Sequence, residues 1–210
     1  RLELGSGRVL VTTEALYRES PSARVYNGLM RSTVELLVTR RTADAGATDA
    51  PAPLRVLEIG GGTGGTTSSL LPALPAGRRD YLFSDVSDAF LERGRERFGA
   101  EPGVRFGIFN LEHDPAAQGY APASFDAIVA ANAVHAVKDL RAALARLKAL
   151  LAPGGVLVLV ESTEHLAYFD MTTGLIEGWQ HFADDLRGDN PLLAPARWLE
   201  ALATAGFDEA

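Results

Sequence analysis

From residue 54 onward, short apolar runs alternate with stretches in which apolar residues recur every three or four positions. LRVLEIG (54–60), DYLFSDV (80–86), VRFGIFNLE (104–112), FDAIVAAN (125–132) and VLVLVES (156–162) have the length and branching of strands. Their apolar residues are continuous, not alternating, which predicts strands of a mostly parallel sheet covered by helices on both faces. The intervening segments GGTGGTTSSLLPAL (61–74), DAFLERGRERFG (88–99), DLRAALARLKALLAPGG (139–155) and PARWLEALATAGF (195–207) predict the helices. Pro72 and Pro75 cut the first of these short, and PGG stops the third. The fold class is therefore α/β.

The first 40 residues differ in texture. RLELGSGRVLV reads as a short strand, and Val25, Leu29, Met30, Thr33, Leu36 and Leu37 mark one apolar stripe of an amphipathic helix. Together they predict a small N-terminal piece, residues 1–40, shaped as a helical lid. RTADAGATDAPAP (41–53) has little apolar bulk and predicts a linker, leaving 54–210 as the core.

Composition narrows the function. A chain of 210 residues, 47% hydrophobic and 22% charged, can build one buried core without staples. It has no cysteine, which excludes thiolate nucleophiles and cysteine-ligated zinc and fits a reducing, cytoplasmic setting. The net charge is −7 with the two signs interleaved, so a phosphate backbone meets no basic stripe and nucleic acid is not an expected partner. Nor is a membrane, since no apolar run approaches the roughly 18 residues of a spanning helix. The chain begins at Arg1 without Met and ends in AGFDEA, which suggests a piece of a longer polypeptide.

The strongest motif is VLEIGGGTGG, a glycine loop between a strand and a helix. Glycines permit a tight turn and close approach of a ligand to the backbone, and the helix start beyond adds free N–H groups. Asp85 ends the next strand, 20 residues past Gly65, where a ribose-binding carboxylate is expected. Gly60, Gly62 and Gly65 also satisfy the dinucleotide pattern G-x-G-x-x-G, so NAD is an alternative ligand. Glu58 separates the two. A carboxylate gains nothing beside a pyrophosphate, but it suits the positive charge of S-adenosylmethionine. With a strand order of 3-2-1-4-5, Asn110 and Leu111 after the third strand are placed for the adenine, and Asn132 after the fourth for the methionine end.

Of the four histidines, His113, His165 and His181 lie in turn-like or loop-like stretches. His135 follows the fourth strand, and Glu161 ends the fifth, which should be its neighbour. A carboxylate on one imidazole nitrogen fixes the tautomer and makes the other a better base. The pair is a candidate general base, and methyl transfer needs little more than a positioned nucleophile and removal of a proton. No metal is called for.

From about Leu16 to Phe207 the chain resembles the methyltransferase domains of modular polyketide synthases, in the class I S-adenosylmethionine-dependent superfamily. The stretches that carry the resemblance are ALYRESPSARVYN, YLFSDVS, FDAIVAANAVHAV and GLIEGWQHFADDLRGDNPLL. It implies a Rossmann-like core, S-adenosylhomocysteine as product, and an acyl chain on the phosphopantetheine arm of an acyl carrier protein, among neighbouring synthase domains. It also implies a His–Glu pair, here His135 and Glu161, acting at the α-carbon of a β-ketoacyl thioester; related domains methylate a hydroxyl oxygen. Asn110 stands where an Asp is usual, and Gln180 where a second Trp is frequent. Tyr26 and Trp179 are expected at the substrate pocket. The superfamily sheet ends in a hairpin of two further strands, which this sequence stops short of. A catalytically silent spacer of the same fold and an NAD-dependent oxidoreductase are the alternatives.

Overall fold

The structure is a computed structural model that describes residues 18–44, 52–175 and 179–208. The strand expected at residues 1–11 and most of the expected linker lie outside the described residues. Residues up to Ile108 form one compact unit and those from Phe109 a second.

In the first unit, β1 (Leu54–Ile59) pairs in parallel with β2 (Arg79–Asp85), and β2 with β3 (Val104–Ile108). Val56, Leu57, Tyr81 and Phe83 are fully buried on these strands. A long helix, α1 (Pro21–Asp44), precedes them. Ser20 caps it by accepting from the Ala23 N–H (3.2 Å), with Pro21 in the first helical position. The helix runs four residues into the stretch expected to be linker, and the Thr42 hydroxyl there donates to the Val38 carbonyl (2.7 Å).

The stripe that α1 buries shares only Met30 with the buried residues expected of it. Met30 and Val34 are buried with Asn27, whereas Val25, Leu29 and Leu36 are 60–64% exposed. Both sets have three-to-four spacing, so periodicity alone finds two faces and cannot choose between them. The choice is made by the short helix α2 (Gly65–Leu70), whose Thr66 and Ser69 hydroxyls donate to the side chain (3.2 Å) and the carbonyl (3.1 Å) of Asn27. The last helix of the unit, α3 (Asp88–Phe98), buries Leu91, Gly94 and Phe98. The Phe83 ring lies between two glycines, since a Cβ on Gly61 would stand 2.4 Å from it and one on Gly94 3.0 Å.

The second unit holds β4 (Phe125–Ala131), α4 (Leu140–Leu150), β5 (Leu151–Val160) and α5 (Pro195–Thr204). Asp139 caps α4 by accepting from the Ala142 N–H (3.0 Å). The segment APGG, expected to end the helix, lies inside the span of β5. Phe125 pairs with Leu151, but Ala127 pairs with Val156, so residues 152–155 form an excursion from the ladder with Gly154 at φ 73°. The strand order is β3-β2-β1 in the first unit, and β4 lies beside β5 in the second. β1, β2 and β4 are almost wholly buried, while β3 and β5 are only half-buried.

The two faces of α1 are separable by mutation. Met30→Ala should cost about 2–5 kcal/mol in urea unfolding and Leu29→Ala less than about 0.5 kcal/mol. Equal losses would mean that both faces are packed.

Candidate active site

Each unit carries one cluster of polar side chains at its strand ends. In the first, the chain leaves β1 through Gly60, Gly62 and Gly64, which have φ of 63°, 51° and 74°. This left-handed backbone is what glycine supplies at little cost. Two N–H groups pin the loop to β2: Gly61 donates to the Ser84 carbonyl and Gly62 to Asp85 Oδ2, both at 2.9 Å. Asp85 Oδ1 accepts from the Ser87 N–H (2.9 Å). Each Asp85 oxygen thus holds one backbone donor and keeps capacity for another.

Glu58 is 2% exposed. Its Oε2 accepts from the Thr67 hydroxyl (2.6 Å) on α2 and the Tyr81 hydroxyl (2.8 Å) on β2. No cation is among these partners. The Glu58 carboxyl is raised from 4.5 to about 7: burial pushes it up, the hydrogen bonds from Thr67 and Tyr81 offset part of that push, and Asp85 adds a smaller push upward. Burial, with Glu58 beside it, likewise raises the Tyr81 phenol well above its ordinary value. Tyr26, on the α1 turn that carries Asn27, is half exposed.

In the second unit the site is built on Glu161, directly after β5. Its Oε1 accepts from the N–H groups of Ala133 (3.1 Å) and Val134 (2.8 Å), and its Oε2 is hydrogen-bonded with His135 Nδ1. The His135 and Glu161 side chains are only 7% and 2% exposed. His135 sits in a single helical turn, Val134–Ala136, just beyond β4. The Trp179 ring meets the imidazole edge-on, with centroids 5.5 Å apart, and Phe169 lies 6.0 Å from Trp179. The Trp179 indole N–H is buried with no hydrogen-bond partner.

Asn132, at φ 50°, donates its N–H to the Val160 carbonyl (2.8 Å), and its Oδ1 accepts from the Ser162 N–H and hydroxyl. The Asn110 Oδ1 accepts from the Glu112 N–H, and its backbone is clasped by Gln118. Leu111 is buried, and its carbonyl accepts from Arg146 (3.0 Å). His113, His165 and His181 are exposed. Each unit thus gathers its own share of the expected site residues. Thr67 and Tyr81 were not singled out in sequence, where their one signal was a hydroxyl just past the glycine motif and one within the second strand.

Residues 57–157 match the family described as a methyltransferase domain. Polyketide synthase ThaQ of Burkholderia thailandensis is 42% identical over 175 residues, covering 80% of this chain and 8% of that one. The CurJ carbon methyltransferase superposes with a TM-score of 0.83 at 36% identity, over 92% of this chain and 50% of that chain. The chain is a methyltransferase domain of the polyketide synthase kind. The trans-methyltransferase CalH, solved in complex with SAH, is 28% identical, with a TM-score of 0.74 over 93% of this chain and 55% of that one. The methyltransferase domain has the Rossmann-like class I fold, and its methyl donor is S-adenosylmethionine. It spans about half the length of these solved relatives and a small fraction of the synthase.

The raised Glu58 carboxyl gives the methyltransferase domain a pH signature. Folded Glu58 holds a proton that the unfolded chain releases near pH 4.5, so this contribution is complete below that value and is lost as pH rises through about 7. A displacement of this size is worth about 3 kcal/mol. Urea unfolding should therefore show stability declining between pH 5 and pH 8, and Glu58→Gln should flatten the decline and be the more stable protein at pH 8.

Proposed function

We propose that this domain methylates the α-carbon of a β-ketoacyl thioester carried on the phosphopantetheine arm of an acyl carrier protein, within a synthase, with His135 as general base and Glu161 as its partner. The observation that carries the proposal is the occupancy of Glu161. One oxygen holds two backbone N–H groups and the other faces His135 Nδ1, so the carboxylate is fixed before it meets the imidazole. An ionised carboxylate has only acceptors, which puts the proton on Nδ1 and the free electron pair on Nε2. The likeness to the CurJ carbon methyltransferase supports carbon over oxygen as the nucleophile.

The donor groups of the first unit suit an adenosine ligand. Asp85 retains acceptor capacity for ribose hydroxyls, and the loop beside it has no Cβ at Gly60, Gly61 or Gly62. S-adenosylmethionine supplies an electrophilic methyl group and leaves as S-adenosylhomocysteine. Gly60, Gly62 and Asp85 would hold its adenosine, with Asn110 and Leu111 toward the adenine and Asn132 toward the methionine end. Glu58, buried against Thr67 and Tyr81, would serve the loop from below. At the substrate, Nε2 of His135 takes the α-proton and the C–H pair becomes the enolate that attacks. Glu161 compensates the imidazolium so formed. Trp179, against the imidazole, and Tyr26 are the side chains proposed to border the acyl chain.

The test is transfer of labelled methyl to an acetoacetyl carrier protein, with the product read by mass spectrometry. His135→Ala should lower the rate by about 100-fold or more while calorimetric binding of S-adenosylmethionine is kept. A methyl ether product would move the reaction to oxygen. Binding without transfer by the unmutated domain would make it a silent spacer, and binding of NAD in place of S-adenosylmethionine would make it an oxidoreductase.

A further inference from the structure

The run ADDLR (183–187) carries three charges within five residues, inside one of the stretches that carry the family resemblance. In the structure two of its charges are inside. The Arg187 and Asp184 side chains are 0% and 3% exposed and pair at 2.6 Å. What surrounds the pair is the segment that carries His135.

Arg187 Nη1 donates to the carbonyl of His135 itself (2.7 Å), and Nη2 to the carbonyls of Val137 (2.7 Å) and Lys138 (3.1 Å). Asp184 Oδ2 accepts from the Leu140 N–H (2.9 Å), and the Ala183 N–H donates to Lys138 O (2.8 Å). The Phe182 ring lies 5.2 Å below the guanidinium. Burial would push the Asp184 carboxyl up, but Arg187 and the backbone donors hold it below the usual carboxylate range.

Every one of these bonds lands between residues 135 and 140, the connection from the His135 turn to α4. His135, Val137 and Leu140 of this connection are buried, and buried peptide groups outside regular structure need partners that helix and sheet do not provide. A planar fork of five donors can serve several at once. A buried ion pair is a poor source of stability compared with apolar packing of the same volume. What this pair adds is direction, since each hydrogen bond fixes one peptide plane. His135 is then held from two sides. Glu161 fixes the N–H groups before it and its ring, and Arg187 fixes its carbonyl and those that follow.

We propose that Asp184 and Arg187 are positioning residues for the general base, setting the His135 backbone so that Nδ1 meets Glu161 and Nε2 stays free for the substrate. This rests on the reading of His135 and Glu161 as the base pair. Neither residue is assigned contact with substrate or cofactor.

Arg187→Lys keeps the charge and removes the fork, and it tests the proposal in methyl transfer to an acetoacetyl thioester. In the folded variant kcat should fall about tenfold or more, with KM for the thioester and the Kd of S-adenosylmethionine within about twofold of the original. Nitrogen-15 NMR of the His135 ring should change from one Nδ1–H tautomer to a mixture. If Arg187→Lys does not fold, Asp184→Asn, which keeps an acceptor for Leu140, is read in its place by the same measures. A folded variant with unchanged kcat and an unchanged imidazole spectrum, whatever its melting temperature, overturns the proposal. His135→Ala run in parallel separates the two readings. Transfer that survives it removes the base itself and the positioning role with it. Loss of transfer in His135→Ala beside unaltered Arg187→Lys and Asp184→Asn removes only the positioning role.

Discussion

A carboxylate out of water must be given donors, and the second unit is organised around meeting that demand at Glu161. Leaving the charge unpaired would be far more costly than ordering a loop around it. The parallel register sets Ala131 against Val160, and the Asn132 N–H continues the ladder by one bond to the Val160 carbonyl. The chain then turns at Asn132, in left-handed backbone, and aims the next two N–H groups at Glu161. The His135 Nδ1 meets the remaining oxygen. Strand pairing, an unusual backbone angle and a buried charge therefore produce the imidazole–carboxylate contact between them.

The first unit meets the same demand differently. Glu58 is as deeply buried, but its donors are hydroxyls, and a proton completes its neutralisation near neutral pH. Asp85, at the end of the neighbouring strand β2, uses each oxygen of its carboxylate to hold one backbone N–H, of Gly62 and of Ser87. Glu58 ties β1, β2 and α2 together beneath the glycine loop, and Asp85 ties the loop to the end of β2. Glu58, Asp85 and Glu161 thus have three arrangements: hydroxyls and a proton, backbone amides with capacity to spare, and amides with an imidazole.

The strands, the glycine loop and the pairing of His135 with Glu161 were legible because each follows from position at the end of a continuous apolar run. Strand-end residues of neighbouring parallel strands are brought together by topology, whatever the side-chain detail. The buried face of α1 was not legible, because two stripes share one periodicity and a polar residue, Asn27, belongs to the buried one. The start of β5 was missed because Pro153 and two glycines signal a stop, while the ladder resumes after stepping past them. Arg187 was not legible either, because nothing in the order of residues links it to His135. Only the carbonyls of residues 135, 137 and 138 show why it is inside.

One feature of the first unit bears on how such a domain can change over time. The Phe83 ring fills the space that side chains at Gly61 and Gly94 would need, and its neighbours Phe98 and Phe106 leave it little room to withdraw. Positions 61 and 83 are therefore coupled, and position 94 is coupled to them more loosely. A methyl group at Gly61 would need residue 83 to shrink or move, and one at Gly94 would need the ring to yield by a few tenths of an ångström. The second glycine of the loop is thus held in place by an aromatic ring in the core, and it would stay fixed even if the loop's ligand placed no demand on it.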